Sequence, residues 1–337
     1  MGEKNYNIEI LRVIAFVMVI VIHVSNYFCR AYGSISSGEY AYSLIINSLA
    51  RVSVPCFFMM SGALLLGRCE TMQKALKRAL RFLFVLLVWT AIYYLYNTFY
   101  TKQGCDLRML LDKPAEAHLW YLYVMIPVYF VLPFLQVLCQ GLGEKLERAF
   151  VILGGIWLFI VHVMPYFKLD LYYDLPILGD RSYIYYLFLG YFLSKYVDKI
   201  KLKNAHLLFI YFGSSLLNAV LTALVTVTTK DHFERVLEYG NPIIIVSAVS
   251  FFALIMRLGN GKVSFSEKSK TWIDLCSVCS FGIYLIHIMF LDWYKIHFKA
   301  DAYSAYAVIP LLVVLITFLS FASVYVIRKL PFGKKIT

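Results

Sequence analysis

Arg12 and His23 stand eleven residues apart inside one apolar run, IEILRVIAFVMVIVIHVSNYF. An ionisable side chain at mid-bilayer costs ~2.5–3.5 kcal/mol on insertion scales, so such residues face a protein interior or a wet cavity and mark functional sites. Eleven helical residues advance ~16 Å. With residue 8 near the cytoplasmic edge of a ~30 Å hydrocarbon core, Arg12 falls just inside that edge and His23 slightly beyond the midplane. A cation near one face and a titratable base at depth are the parts of a reaction channel. Glu9 precedes Arg12 by three residues, shares its helical face and is placed to pair with it. Two plainer readings stand beside this one. Arg12 is close enough to a helix end to snorkel to the headgroups, and His23 has the character of a buried, hydrogen-bonded structural histidine.

A second ionisable group lies at similar depth. Arg51 sits in NSLARVSVPCFFMMSG, ten residues into an apolar run that starts near residue 41, and ten residues of helix put it ~15 Å below the outer edge. Pro55 removes a backbone hydrogen bond four residues later, and Ser61-Gly62 allows close helix approach. The following basic stretch, GRCETMQKALKRALRF, holds Arg68, Lys74, Lys77, Arg78 and Arg81. Topology alone accounts for basic residues at an inner face. Yet Lys74, Lys77, Arg78 and Arg81 share one helical face and have the geometry to pair with phosphates, arginine as a fork and lysine as a point charge. His118 and Trp120 in AHLWYLYV and His287 in SFGIYLIHIMF stand toward the outer side, His287 at the depth inferred for His23. Either histidine alone reads equally well as packing. The outer segment PYFKLDLYYDLPILGDRSYIYY sets Asp170, Asp174 and Asp180 among tyrosines. That pattern suits an aromatic interfacial belt or a polar, ring-shaped acceptor such as a sugar.

The elements that must position these residues are membrane helices. The 337-residue chain is 61% hydrophobic and 15% charged, with a mean hydropathy of +0.71. A soluble domain is nearer 45–50% apolar and about 25% charged, so the chain is an all-α, polytopic membrane protein. Apolar runs fall at 8–30, 41–66, 80–101, 118–140, 148–166, 182–197, 205–229, 241–258, 272–295 and 303–327. The fifth and sixth are short for a span. The first reads as a retained helix and not a cleaved signal, because no small-residue cleavage site follows a short apolar stretch. With about ten spans and both termini cytoplasmic, twenty Lys and Arg fall on inner segments and ten on outer loops. Shifting the register by one span destroys that asymmetry. The net charge of +12 is thereby explained by topology, and nucleic acid is not expected as a partner. Residues 1–337 read as a single transmembrane domain with no appended soluble domain, since the loops are too short to bury a core. Cys276 and Cys279 form a CxxC with no His nearby to complete a tetrahedral set, so no metal is expected. Cys29 and Cys105 both fall on the outer side, which leaves a disulfide open.

Several of these segments resemble the membrane acyltransferase-3 family of integral O-acyltransferases. The likeness begins with IEILRVIAFVMVIVIH, which has Glu9 in the family's acidic position, Arg12, ten residues and His23. It continues through VPCFFMMSGALLL, the Arg-x-x-Arg pattern of Arg78 and Arg81, HLWYLYVMIPVYFVLPFL and SFGIYLIH. The resemblance runs the length of the chain. It implies about ten spans, an acyl-CoA donor (acetyl-CoA the foremost) arriving from the cytoplasm, and acylation of a hydroxyl. It further implies His23 as catalytic base, with Glu9 and Arg12 beside it, and Arg12, Arg78 and Arg81 as the residues that serve the donor; the basic stretch itself adds Arg68, Lys74 and Lys77 as donor-site candidates. Arg51, Ser61, His118, Trp120 and His287 remain as candidates to meet the acceptor or a developing oxyanion. Without the extracytoplasmic esterase-like domain of some members, the chain resembles stand-alone members that modify surface glycans in bacterial plasma membranes. It also resembles the membrane half of racemase-linked resistance proteins, although no racemase domain is present.

The chemistry is consistent with this layout. A hydroxyl attacking a thioester must lose its proton, and imidazole, with an ordinary pKa near 6.5, suits that task. The rival class is a transporter or lipid-linked glycan flippase, whose buried Arg and His bind substrate or relay protons. Such proteins show internal repeats and broken helices at matching positions, and no internal repeat is evident here.

Overall fold

In the computed structural model, residues 4–102, 113–169, 183–258 and 265–337 are described, and among them the fold is all helical. Asn5 caps the first helix, α1 (Tyr6–Cys29), by accepting the Asn7 amide. Ser36 and Glu39 form a reciprocal capping box at the start of α2 (Ser37–Ala50). α3 (Ser53–Leu65) continues the same crossing, and α4 (Met72–Tyr96) returns. α5 (Trp120–Gly141), α6 (Glu144–Val163), α7 (Tyr183–Tyr196), α8 (Asn204–Thr229) and α9 (Pro242–Leu258) follow. The chain closes with α10 (Glu267–His297), α11 (Ala305–Ile327) and the short α12 (Gly333–Ile336).

Nine crossings among the described residues are long and apolar enough to span a membrane, and α7 accompanies them as a shorter helix. This is an integral membrane protein of about ten spans. Three details differ from the sequence expectation. The second run is interrupted at Arg51–Val52, because the Pro55 ring has no N–H to give and crowds the carbonyl four residues back, which is that of Arg51. The basic stretch after residue 68 is not a loop through to residue 80. α4 begins at Met72, so Lys74, Lys77, Arg78 and Arg81 belong to its first turns. The sixth run yields only the 14 residues of α7, about 21 Å of helix. Asp170, Asp174, Asp180 and Cys105 lie outside the described residues. Cys29, Cys276 and Cys279 are free thiols.

Cross-helix bonds fix the alternation of directions. At one face, Lys4 pairs with Asp274, Asn7 Nδ2 donates to Met256 O, Gln140 Nε2 to Arg68 O, and Lys195 pairs with Glu147. At the other, Arg30 pairs with Glu234, Tyr27 donates to Phe298 O, and the Ala305 amide donates to Glu39. The first face carries the basic segments, and it is called the basic face below. α1 packs against α2, α3, α9, α10 and α11 and is the axis of the assembly. α3 and α7 cross so closely that a Cβ on Gly62 would strike the Leu187 carbonyl, and one on Gly190 the Met59 carbonyl. Only glycine admits that backbone approach. α6 is peripheral and turns Ile152, Leu153, Ile156 and Phe159 outward, as a lipid-facing helix must.

Candidate active site

α1 and α10 run in the same direction, and their side chains meet at two levels. Near the basic face, Arg12 Nη1 donates to Glu9 Oε2 at 2.6 Å and to Ser277 Oγ at 2.8 Å. The Ser277 hydroxyl donates to the same Glu9 oxygen. Arg12 is therefore held in the protein and not turned to the headgroups. Three turns further along α1, His23 meets α10 again. Its ring centroid lies 5.1 Å from that of His287 and 6.5 Å from that of His118, and the latter two rings are 5.3 Å apart.

The three histidines are not equivalent. His118 Nε2 faces Leu285 O at 3.2 Å, and His287 Nδ1 faces Tyr284 O at 2.7 Å. A carbonyl only accepts, so each histidine spends its N–H there and retains a lone pair on its other nitrogen. Those two atoms, His118 Nδ1 and His287 Nε2, are buried without a partner. In this state neither ring can donate to an oxyanion, the part the sequence offered them. His23 differs in that it is half-buried, lines the cavity, and hydrogen-bonds to no described residue. The backbone under it is braced by Asn47 Nδ2, which donates to Ile22 O at 3.1 Å and to Ser25 Oγ at 3.0 Å.

One cavity of about 640 Å³ joins these groups. Arg12, Arg81, Ser61 and Ser277 line its basic-face portion, His23 and His118 its middle, and Arg51, Trp120 and Tyr239 the wall leading to Arg30 and Glu234. Seven of the sequence candidates thus share one space: Arg12, His23, Arg51, Ser61, Arg81, His118 and Trp120. His287 packs on His23 from behind, fully buried. Glu9 is not among the lining residues and meets the cavity only through its pair with Arg12. Arg78 is drawn into a 2.6 Å pair with Glu70, whose side chain is only 8% exposed, and Arg68, Lys74 and Lys77 are exposed on the basic face.

At the far end, Arg30 Nε and Nη2 hold both oxygens of Glu234 at 2.6 and 3.1 Å, and Asn26 Nδ2 adds a bond at 3.2 Å. The Glu234 hydrogen bond pushes the Arg30 pKa up. Neighbouring His232 is lowered, first by burial, with Arg51 and Arg30 adding to the effect. Glu116, just before His118, is raised by burial and then by Asp292. Arg51 Nε donates to Asn47 Oδ1 at 2.8 Å, and its guanidinium lies 5.8 Å above the Tyr239 ring. Trp120 stacks on Tyr239 at 6.0 Å and tilts against Tyr183 at 5.3 Å. Among the described residues, no group of three or more His, Cys, Asp or Glu is placed to hold a metal ion.

Ser277, Tyr121, Tyr239 and Glu234 were not foreseen as site residues. For Ser277 a signal existed. It precedes His287 by ten residues, nearly the Arg12–His23 interval, as expected of two parallel helices sharing two levels. A family model described as an acyltransferase domain matches residues 5–329. No curated protein and no solved structure matches the chain.

Proposed function

Because this chain belongs to the acyltransferase-3 family and is a membrane acyltransferase, we propose that it transfers an acyl group, acetyl foremost, from cytoplasmic acyl-CoA to a hydroxyl of a cell-surface glycan or related acceptor. We place it in a bacterial plasma membrane, with the basic face cytoplasmic. One observation carries the reading: a single cavity leads from Arg12 and Arg81 past His23 to Arg30 and Glu234. Donor and acceptor can enter such a cavity from opposite sides and meet at one base.

The coenzyme's phosphates dock at the basic face, where Arg81 is available and Arg12 is fixed in direction by Glu9 and Ser277. The thioester extends inward toward His23. The imidazole takes the proton of the acceptor hydroxyl as that oxygen bonds to the thioester carbon. The tetrahedral intermediate then breaks its C–S bond, and the departing thiolate takes the proton back from His23. Products are the ester and the free coenzyme thiol. His118 and His287 hold the His23 ring in place by edge and tilted ring contacts, with their own N–H groups committed to backbone carbonyls. Ser61 donates its hydroxyl proton to Phe57 O and is hydrogen-bonded to Tyr121, so the oxyanion draws on this hydroxyl pair, both members of which line the cavity.

The helix interrupted at Arg51 is the feature a transporter reading would claim, since broken helices at the midplane bind transported substrates. One assay separates the two. Purified protein in vesicles, with acetyl-CoA on the basic-face side and membranes bearing acceptor, should release coenzyme thiol in step with ester formed. Movement of glycan across the vesicle without thioester loss would make the protein a carrier.

A further inference from the structure

The cavity's charge is out of balance on the side of His23 away from the donor end. Four arginines line it, and Glu234 is the one acidic side chain among the lining residues. Arg12 is neutralised by Glu9 and Arg30 by Glu234. Arg81 sits at the basic face, where the donor's phosphates belong. Arg51 is left, at the depth of His23, with no salt bridge among the described residues; Glu234 acts on it only at longer range and is already held by Arg30. The Arg51 Nε is spent on the neutral Asn47, and its two Nη atoms have no protein hydrogen bond among them. Tyr239 supports the guanidinium from below, and Trp120 extends that aromatic wall. An uncompensated cation within a membrane domain is costly, and such groups mark the binding of something that compensates them. The free fork of an arginine matches a carboxylate or a phosphate in two parallel hydrogen bonds.

We propose that Arg51 binds an anionic group on the acceptor, so that the acceptor class is an acidic sugar, carrying a carboxylate or a phosphate, laid against Tyr239 and Trp120. The inference rests on the acyl-transfer reading and narrows its substrate. It places the anion on the side of His23 opposite Arg12 and Arg81, so donor and acceptor each bring negative charge to a separate arginine. The aromatic wall orients the sugar ring, and the charge pair sets which hydroxyl faces His23.

The test uses the full-length protein in lipid nanodiscs with glucuronic acid, glucose 6-phosphate and glucose as probes, read by thermal stabilisation and by acetyl transfer from acetyl-CoA. Glucuronic acid or glucose 6-phosphate should stabilise the wild type at concentrations where glucose does not, and the better of the two identifies carboxylate or phosphate as the anion. R51M should weaken the charged probe on the order of 30-fold, as expected when one partner of a desolvated charge pair is truncated, and should leave stabilisation by coenzyme A unchanged. R51K should keep the preference for the charged probe over glucose even if R51M folds poorly. Equal responses to charged and neutral sugars, or none to either anion, overturn the proposal. So does an R51M that loses transfer equally to charged and neutral acceptors, for that is the signature of an oxyanion donor. Anion binding without any thioester loss in the wild type would instead sink the acyl-transfer reading and leave the anion site standing.

Discussion

His23→Gln separates catalysis from structure more cleanly than any other change in this protein. The imidazole is half-buried and makes no hydrogen bond to a described residue, so its replacement by a polar side chain of similar size forfeits no bond. The change gives up ring contacts with His287 and His118 but no hydrogen bond, so stability should fall by about 1 kcal/mol, the middle of the range for point substitutions. Glutamine cannot accept and return a proton. Loss of a general base costs ~10²–10⁴ in rate, which is about 2.7–5.4 kcal/mol of barrier at 1.36 kcal/mol per decade. His287→Leu is the contrasting control. It gives up the bond to Tyr284 O at 2.7 Å in a fully buried position, and because that carbonyl keeps its helical amide within α10 the net loss is about 0.5–1.5 kcal/mol. The assay is coenzyme thiol release at saturating acetyl-CoA, with coenzyme A binding and thermal midpoint measured on the same preparation. His23→Gln should bind donor as the wild type does and melt only slightly lower while turning over at one per cent or less. A well-folded Gln variant that keeps more than a tenth of wild-type turnover refutes the assignment of His23 as base.

Arg78 and Arg81 should part company. Arg81→Ala should raise the acetyl-CoA concentration needed for half-maximal rate without changing the melting temperature. Arg78→Ala should instead destabilise by about 1–3 kcal/mol, because it strands Glu70. Gly62→Ala should cost on the order of 3 kcal/mol, the upper range for overpacking, because the obstacle is the Leu187 backbone. Gly213→Ala, whose added methyl meets nothing, should match or exceed wild-type stability in the same detergent melt. Cysteine placed at residue 113 in a background free of other cysteines should react with an impermeant maleimide on intact cells. Cysteine at residue 74 should not react until the membrane is opened, and the reverse pattern would invert the topology.

The parts of the site that the sequence revealed are those where burial makes chemistry conspicuous. Arg12, His23 and Arg51 stand out because charge inside an apolar run needs a reason, and all three line one cavity. Their partners were hidden because they are remote along the chain. Glu234 lies 204 residues from Arg30, and nothing in a loop glutamate announces that pairing. The tautomer of His118 depends on Leu285 O of α10, which only the packing brings near, whereas that of His287 is set by Tyr284 O one turn back on its own helix. Helix boundaries were legible where apolar runs are long. They failed at Arg51, where one proline outweighed a run that otherwise reads as continuous.

The parallel pairing of α1 and α10 also imposes an order of assembly. Arg12 and Ser277 are 265 residues apart, so at synthesis rates of ~5–20 residues per second the second enters the membrane roughly 13–53 s after the first. Until α10 arrives, Arg12 lacks one of its two anchors and His23 lacks the His287 ring behind it. The catalytic chamber is consequently closed by one of the last helices to be inserted. Chains arrested before α10 hold Arg12, Arg51 and His23 but not the wall that aims them, so, on the acyl-transfer proposal, an incomplete protein occupies the membrane without consuming acyl-CoA.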